Sequence, residues 1–287
     1  MTGIIAESEL ILNPNGSVYH LDLFPEEIAE TIFLVGDPGR VATVSQHFDK
    51  IETKKQKREF IAHTGEKNSH RLTVLSTGIG TDNIDIVINE LDALANIDFK
   101  TRQIRAVPKS LTLIRLGTSG ALQEDIELDS LVASTHGLGF DCLMAFYDLP
   151  HTAEEQALLD AAKTHFSVAP PYYAASGEKA LIEQFSAIAR TGITATCAGF
   201  YGPQGRMLRS RPLDEHFIER MHRFRFQDKM ITNFEMETSG IYGLGRLLGH
   251  RCCSLNTIVA NRITQSFSKN PYAAINHMIE TVLACLR

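Results

Sequence analysis

The chain has 287 residues, 44% of them hydrophobic and 22% charged, a composition that suits an ordinary globular protein with a substantial buried core. A formal net charge of -6 argues against a general nucleic-acid binder, although it leaves room for a local basic pocket that takes a small anion. No apolar stretch reaches the length of a membrane span, and Met1 to Leu12 lacks the basic and then apolar order of a secretory signal, so a cytoplasmic protein is expected. The five cysteines, Cys142, Cys197, Cys252, Cys253 and Cys285, form no C-x-x-C pair and are expected to be reduced thiols packed as small apolar residues.

Taken in chain order, β-branched apolar runs alternate with helical patterns. Residues 31–35 predict a buried strand, followed by the turn Gly36-Asp37-Pro38-Gly39-Arg40. Asp37 suits a helix cap and Pro38 the first helical position, with the helix continuing through Val41, Val44 and Phe48. Free N–H groups and a guanidinium at such a helix start can hold an anion; taken alone, the pattern also fits an ordinary strand–turn–helix with a surface arginine. Residues 72–76 predict a second strand, and Ser76-Thr77-Gly78-Ile79-Gly80 a second glycine-rich turn. Asp82 is the expected cap of a helix whose Ile84, Val87, Ile88, Leu91, Leu94 and Ala95 share one face. Asn83 stands where a dinucleotide fingerprint needs its third glycine, so that reading fails.

The basic segment 99–110 reads as a surface loop. Residues 111–116 predict a strand ending in a third glycine-rich turn, Arg115-Leu116-Gly117-Thr118-Ser119-Gly120-Ala121. An arginine, two hydroxyls and two permissive glycines together suit a phosphate cradle, and all three turns would gather at the carboxyl ends of strands. Residues 130–134 and 254–259 predict further strands, and 153–166, 178–190, 213–224, 237–248 and 272–286 predict helices. The alternation implies an α/β fold, one domain over 1–287 with a central sheet covered on both faces.

Two late segments carry different chemistry. Phe200-Tyr201-Gly202-Pro203-Gln204-Gly205-Arg206 offers an aromatic face, an amide that both donates and accepts, and a cationic donor, a set that can read a flat base; a polar surface loop has the same composition. Asn233-Phe234-Glu235-Met236-Glu237-Thr238 brackets Met236 with two acids. A carboxylate there could hold a vicinal diol, and the pair could equally be a solvated helix start. The eleven histidines form no zinc-type spacing, and no G-x-S-x-G elbow occurs, so neither a metal site nor serine hydrolysis is expected.

In order, Tyr19-His20-Leu21, GDPGR, Arg58-Glu59-Phe60, STGIG, RLGTSGA, FYGPQGR, NFEMET and Asn261-Arg262 resemble the nucleoside phosphorylase family, and within it the uridine branch. The resemblance implies a single domain around a mixed, partly barrel-like sheet flanked by helices. It further implies the cleavage of uridine or deoxyuridine by inorganic phosphate, with no other cofactor. Gly36, Arg40, Arg115 and Thr118 would bind phosphate. Arg58 would complete that site from a neighbouring subunit of a homodimer or a hexamer of dimers, and His20 would reach the ribose across the same interface. Glu237, Met236 and Glu235 would meet the ribose. Ser119, Gly120, Phe200, Gln204, Arg206 and Arg262 would border the base, with Arg115, Glu237, Gln204 and Arg206 carrying catalysis. The turn GIGTDN departs from the G-I-G-G-P-S of bacterial relatives and puts in doubt a monovalent cation held near Glu59. Val259-Ala260-Asn261-Arg262 stands where purine enzymes carry Ser-Asp, which argues for a pyrimidine.

Overall fold

The apolar run Thr31–Val35 (β1) lies at the centre of the sheet and sends alternate side chains to opposite faces. Ile32 and Leu34 pack in one core cluster, and Phe33 and Val35 in the other. The computed structural model describes residues 3–166 and 168–286; residues 1–2 and 167 and the last residue of the expected domain lie outside that description. β1 feeds α1 (Pro38–Ser45), whose start is as expected, with Asp37 accepting from the Gly39 N–H at 2.9 Å and Pro38 opening the helix, and which ends before the expected Phe48. The hairpin β2 (Lys50–Lys57) and β3 (Phe60–Lys67) follows, then β4 (His70–Ser76) and α2 (Thr81–Asn96).

The basic segment carries a two-residue ladder, β5 (Ile97–Asp98) with β6 (Gln103–Ile104). Then come β7 (Thr112–Ala121), β8 (Leu131–Gly139), α3 (Ala153–His165), β9 (Tyr173–Ser176), α4 (Lys179–Gln184) and β10 (Arg190–Thr196). The chain ends with α5 (Phe217–Arg223), β11 (Arg225–Phe226), β12 (Lys229–Glu235), α6 (Thr238–Leu247), β13 (Arg251–Asn261), β14 (Ser266–Phe267) and α7 (Pro271–Ala284).

The main sheet runs β11-β12-β10-β8-β13-β7-β1-β4-β3-β2. β12 also pairs back onto β7, Asn233 with Ala121 and Phe234 with Gly120, which closes β7, β12, β10, β8 and β13 into a ring. Parallel and antiparallel pairs both occur in it, so the sheet is mixed and closes partly into a barrel. α2 and α6 pack on one face, α1, α4 and α7 on the other. No helix among the described residues is long and apolar enough to cross a membrane.

Several expectations shift. The segment GTSGA is no turn; it is strand throughout, because β13 pairs with it from Asn256–Gly117 to Asn261–Ala121. Asp82 is not the cap of α2. The chain turns at Gly80, whose φ of 97° suits glycine, and the helix starts at Thr81. α4 stops at Gln184, where the Ser186 hydroxyl binds the Glu183 carbonyl, and α5 starts only at Phe217. Cys197, Cys252 and Cys253 are buried free thiols, whereas Cys142 is exposed.

Gly137 of β8 lets α6 sit close, since a Cβ there would fall 2.6 Å from Ser239 Cα. The variant Gly137→Ala should therefore lose about 1–3 kcal/mol, read as a lower urea midpoint at unchanged m-value. An unchanged midpoint would show that α6 has room to move.

Candidate active site

The carboxyl ends of β1, β4, β7 and β12 and the far end of β13 meet at a cavity of about 710 Å³. Gly36, Arg40, Arg115, Thr118, Ser119, Gly120, Phe200, Gln204, Arg206, Glu235, Met236 and Glu237 all line it, so twelve of the fifteen expected site residues come together. The other three do not line it. Arg58 is exposed on the β2–β3 turn at φ 54°, and His20 faces Glu90, with Nδ1 2.7 Å from Oε1. Arg262 stands behind the loop of residues 200–206, donating from Nη1 to the Gln204 carbonyl at 3.1 Å.

One end of the cavity is organised around charge. Arg115 is buried on β7 and donates from Nη2 to Glu237, with Glu235 at 3.3 Å from the same nitrogen. Arg40 donates from Nη1 to the Leu116 carbonyl at 3.0 Å. Burial, then the nearby Arg115, hold Arg40 below its ordinary pKa, so the two guanidinium groups repel one another in a poorly solvated place. An anion between them would relieve that repulsion. Burial holds the Glu237 carboxyl above its ordinary value, with Arg115 pulling the other way and Glu235 adding to the rise. Glu237 also accepts from the Gly80 N–H at 2.8 Å, which ties it to the second turn.

The two glutamates are buried, which rules out a solvated pair, yet they do sit at a helix start, with Glu237 as the cap of α6. Glu235 accepts from the Glu237 N–H (2.9 Å), the Thr238 N–H (3.0 Å) and the Thr196 hydroxyl (2.8 Å). A carboxylate over free N–H groups at a helix start is electrostatically favoured, so Glu235 fixes the turn that presents Glu237. A second buried group braces the same helix: Asp141 accepts from Ser239 Oγ, Tyr173 Oη and the Leu143 N–H, each at 2.9 Å.

The other end sets an amide, a guanidinium and an aromatic face side by side. Arg206 donates from Nη1 to Gln204 Oε1 at 2.5 Å and to the Phe200 carbonyl at 2.7 Å. Its guanidinium lies 3.7 Å from the Phe200 ring centroid. Burial, then Arg262, lower its pKa to about 10, which leaves it cationic at neutral pH. Phe234 closes the floor: a Cβ on Gly120 would meet its ring at 3.3 Å. Asn261 is buried and fully used inside the fold, donating to the Gln123 and Ile126 carbonyls and accepting from the Ile263 and Thr264 N–H groups.

The residues 30–287 match the family described as Phosphorylase superfamily. The chain belongs to that family. It is 28% identical to the uridine phosphorylase of Thermococcus kodakarensis over 260 residues, 88% of this chain and 81% of that one. It is 26% identical to the DeoD-type purine nucleoside phosphorylase of Geobacillus stearothermophilus over 269 residues, 92% and 96% of the two chains. The solved structure of a Trypanosoma brucei nucleoside phosphorylase, described as showing uridine phosphorylase activity, superposes with a TM-score of 0.90 at 27% identity. That superposition covers 96% of this chain and 99% of the other.

Lining residues of the cavity beyond the expected set include Glu59, Asn83, Phe234, Val259, Ala260 and Phe267. All but Phe267 lie in or beside the motifs. Phe267 arrives through the two-residue strand β14 against Ala260, which no local pattern announces.

Removing the cation from the buried cluster leaves two carboxylates facing each other. Arg115→Met should therefore cost about 3–5 kcal/mol at neutral pH. With Arg115 gone, the Glu237 carboxyl loses the cation that pulls its pKa down and is held further above its ordinary value. The deficit against the wild type should then shrink as pH falls and Glu237 takes up a proton. Urea midpoints between pH 7.5 and pH 5 check this, and a deficit independent of pH would contradict the charge account.

Proposed function

We propose that the protein catalyses the phosphorolysis of uridine, with 2′-deoxyuridine as a second substrate. Phosphate oxygen bonds to C1′ as the C1′–N1 bond breaks, giving ribose 1-phosphate and uracil, which takes up a proton. The observation that carries this reading is the pairing of Gln204 with Arg206 in the same cavity as Arg40, Arg115 and Glu237. The Arg115 guanidinium lies over Gly117, three residues and about 10 Å along β7 from Gly120 at the rise of a strand, which suits phosphate, sugar and base laid out in line.

The chemistry follows from charge. As the glycosidic bond stretches, the ribose becomes cationic and the uracil ring gains negative charge. Gln204 and Arg206 are fixed in place beforehand and stabilise that ring anion through its carbonyls and N–H, while Phe200 borders its face. Arg40 and Arg115, with Gly36 and Thr118, hold phosphate against C1′, where its own charge favours the cationic sugar. Glu237 takes ribose hydroxyls, and Met236 packs beside the sugar. Inorganic phosphate is the co-substrate, and no step runs through a metal or redox cofactor. At Glu59, the Asn83 amide turns an N–H toward Oε1 at 3.3 Å where a cation would need the oxygen free.

Arg58 and His20 are assigned to a neighbouring subunit's site, in a homodimer or a hexamer of dimers. Their positions outside their own cavity support this. The five free cysteines suit the reducing cytoplasm, where pyrimidine salvage would take place. A pyrimidine is favoured over a purine because Val259 and Ala260 line the cavity from β13, and Asn261 beside them is committed to the fold, leaving no acid there to protonate a purine ring.

Uracil release from uridine should require phosphate, and inosine should not react. Cleavage in phosphate-free buffer, or of inosine alone, would overturn the reading. Gln204→Ala and Arg206→Ala should each lower kcat/KM for uridine by about 100-fold with a smaller effect on phosphate binding. Arg58→Ala and Glu237→Ala should each be impaired, and a mixture of the two allowed to exchange subunits should recover activity. No recovery would contradict a shared site.

A further inference from the structure

Asn256 lies outside the cavity, fully buried on β13 and paired with Gly117 of β7. Arg115 doubles back over Gly117 to reach it. A Cβ at residue 117 would fall 1.4 Å from Arg115 Nη1 and 2.6 Å from Asn256 Oδ1. Nη1 donates to Asn256 Oδ1 at 2.7 Å. The Asn256 amide nitrogen donates to Ser254 Oγ at 3.2 Å, and Ser254 Oγ is 2.8 Å from Thr238 Oγ1 at the start of α6. Asn256 is thus the stop against which the guanidinium rests, and its own orientation is set by the helix that carries Glu237.

The residue type is informative because of the charges already present. Arg40 and Arg115 balance Glu235 and Glu237 in this end of the cavity. A guanidinium has five N–H donors. Among the described residues, Nη2 serves the glutamates and Nη1 gives one hydrogen to Asn256, while the Nε hydrogen has no protein acceptor. A carboxylate at 256 would hold the guanidinium as well, but it would tip the cluster to net negative before any anion arrived. An amide holds it without that change. Resting on the phosphate-binding reading of Arg115 above, we propose that Asn256 is a positioning residue for phosphate: a neutral acceptor that fixes Arg115 and spares its charge for the anion.

The decisive variant is Asn256→Asp, nearly the same in shape. Ser254 can turn its hydroxyl to donate to the new carboxylate, so a purely structural strut would tolerate the change. Inorganic phosphate is the probe, titrated calorimetrically at constant ionic strength, with steady-state kinetics in which phosphate and uridine are varied separately. Asn256→Asp should raise the Kd and KM for phosphate about tenfold or more, the scale of one charge-assisted contact, with the urea midpoint undiminished and the uridine KM unchanged. Phosphate binding equal to the wild type would overturn the inference. If Asn256→Asp does not fold, Asn256→Ser, which keeps a neutral acceptor, should bind phosphate more tightly than Asn256→Ala; equal affinities would overturn it. A wild type that binds no phosphate would instead bring down the functional reading itself, and this proposal with it.

Discussion

Burying Glu235 and Glu237 two residues apart is tolerable only because Arg115 lies between them. That requirement reaches far into the fold. Arg115 must come from an inner strand, so β7 runs unbroken through the glycine-rich segment with β13 and β1 on its flanks. Gly117 must lack a side chain so that the guanidinium can fold over it. β12 must close back onto β7 to bring Glu235 within reach, which makes the ring of strands part of the site's construction. Each of these features serves the burial of three charges in one small, poorly solvated volume.

Polar residues inside the ring finish the work. Glu235 organises the start of α6, Asp141 and Tyr173 brace it from below, and Asn256 and Ser254 link it to Arg115. Nearly all of these groups have partners, which suits a preorganised site, since donors already in place need no rearrangement as charge develops. The Phe200 end of the cavity is less enclosed, and Phe200 itself is 51% exposed.

Much of this is legible from residues alone, and the limits have physical causes. The first turn is read correctly down to its cap because Asp37 and Pro38 act within four residues. The third motif is misread as a turn because its glycines are local, whereas the β13 pairing that keeps it extended comes from more than 130 residues away. The hairpin β2–β3 carries lysines on an exposed edge and lacks the apolar run of an inner strand, so periodicity passes over it. Twelve site residues converge as the motifs imply. Asn256, Asp141 and Tyr173 escape notice because buried polar residues inside apolar stretches acquire a role only through partners distant in sequence. Arg58 and His20 do not line the cavity of their own chain, and the place proposed for them is a neighbouring subunit's site.

Relatives named for uridine and for purine nucleosides both align along most of the chain, so the family likeness alone does not select the base. The proposed choice of a pyrimidine rests on Gln204, Arg206 and the apolar Val259 and Ala260. The most direct test of the whole arrangement is a crystal structure with inorganic phosphate and an uncleavable uridine analogue bound. Phosphate should lie between Arg40 and Arg115, the ribose hydroxyls on Glu237, and the uracil edge on Gln204 and Arg206. An anion bound away from Arg115, or a base turned from the Gln204–Arg206 pair, would contradict the account.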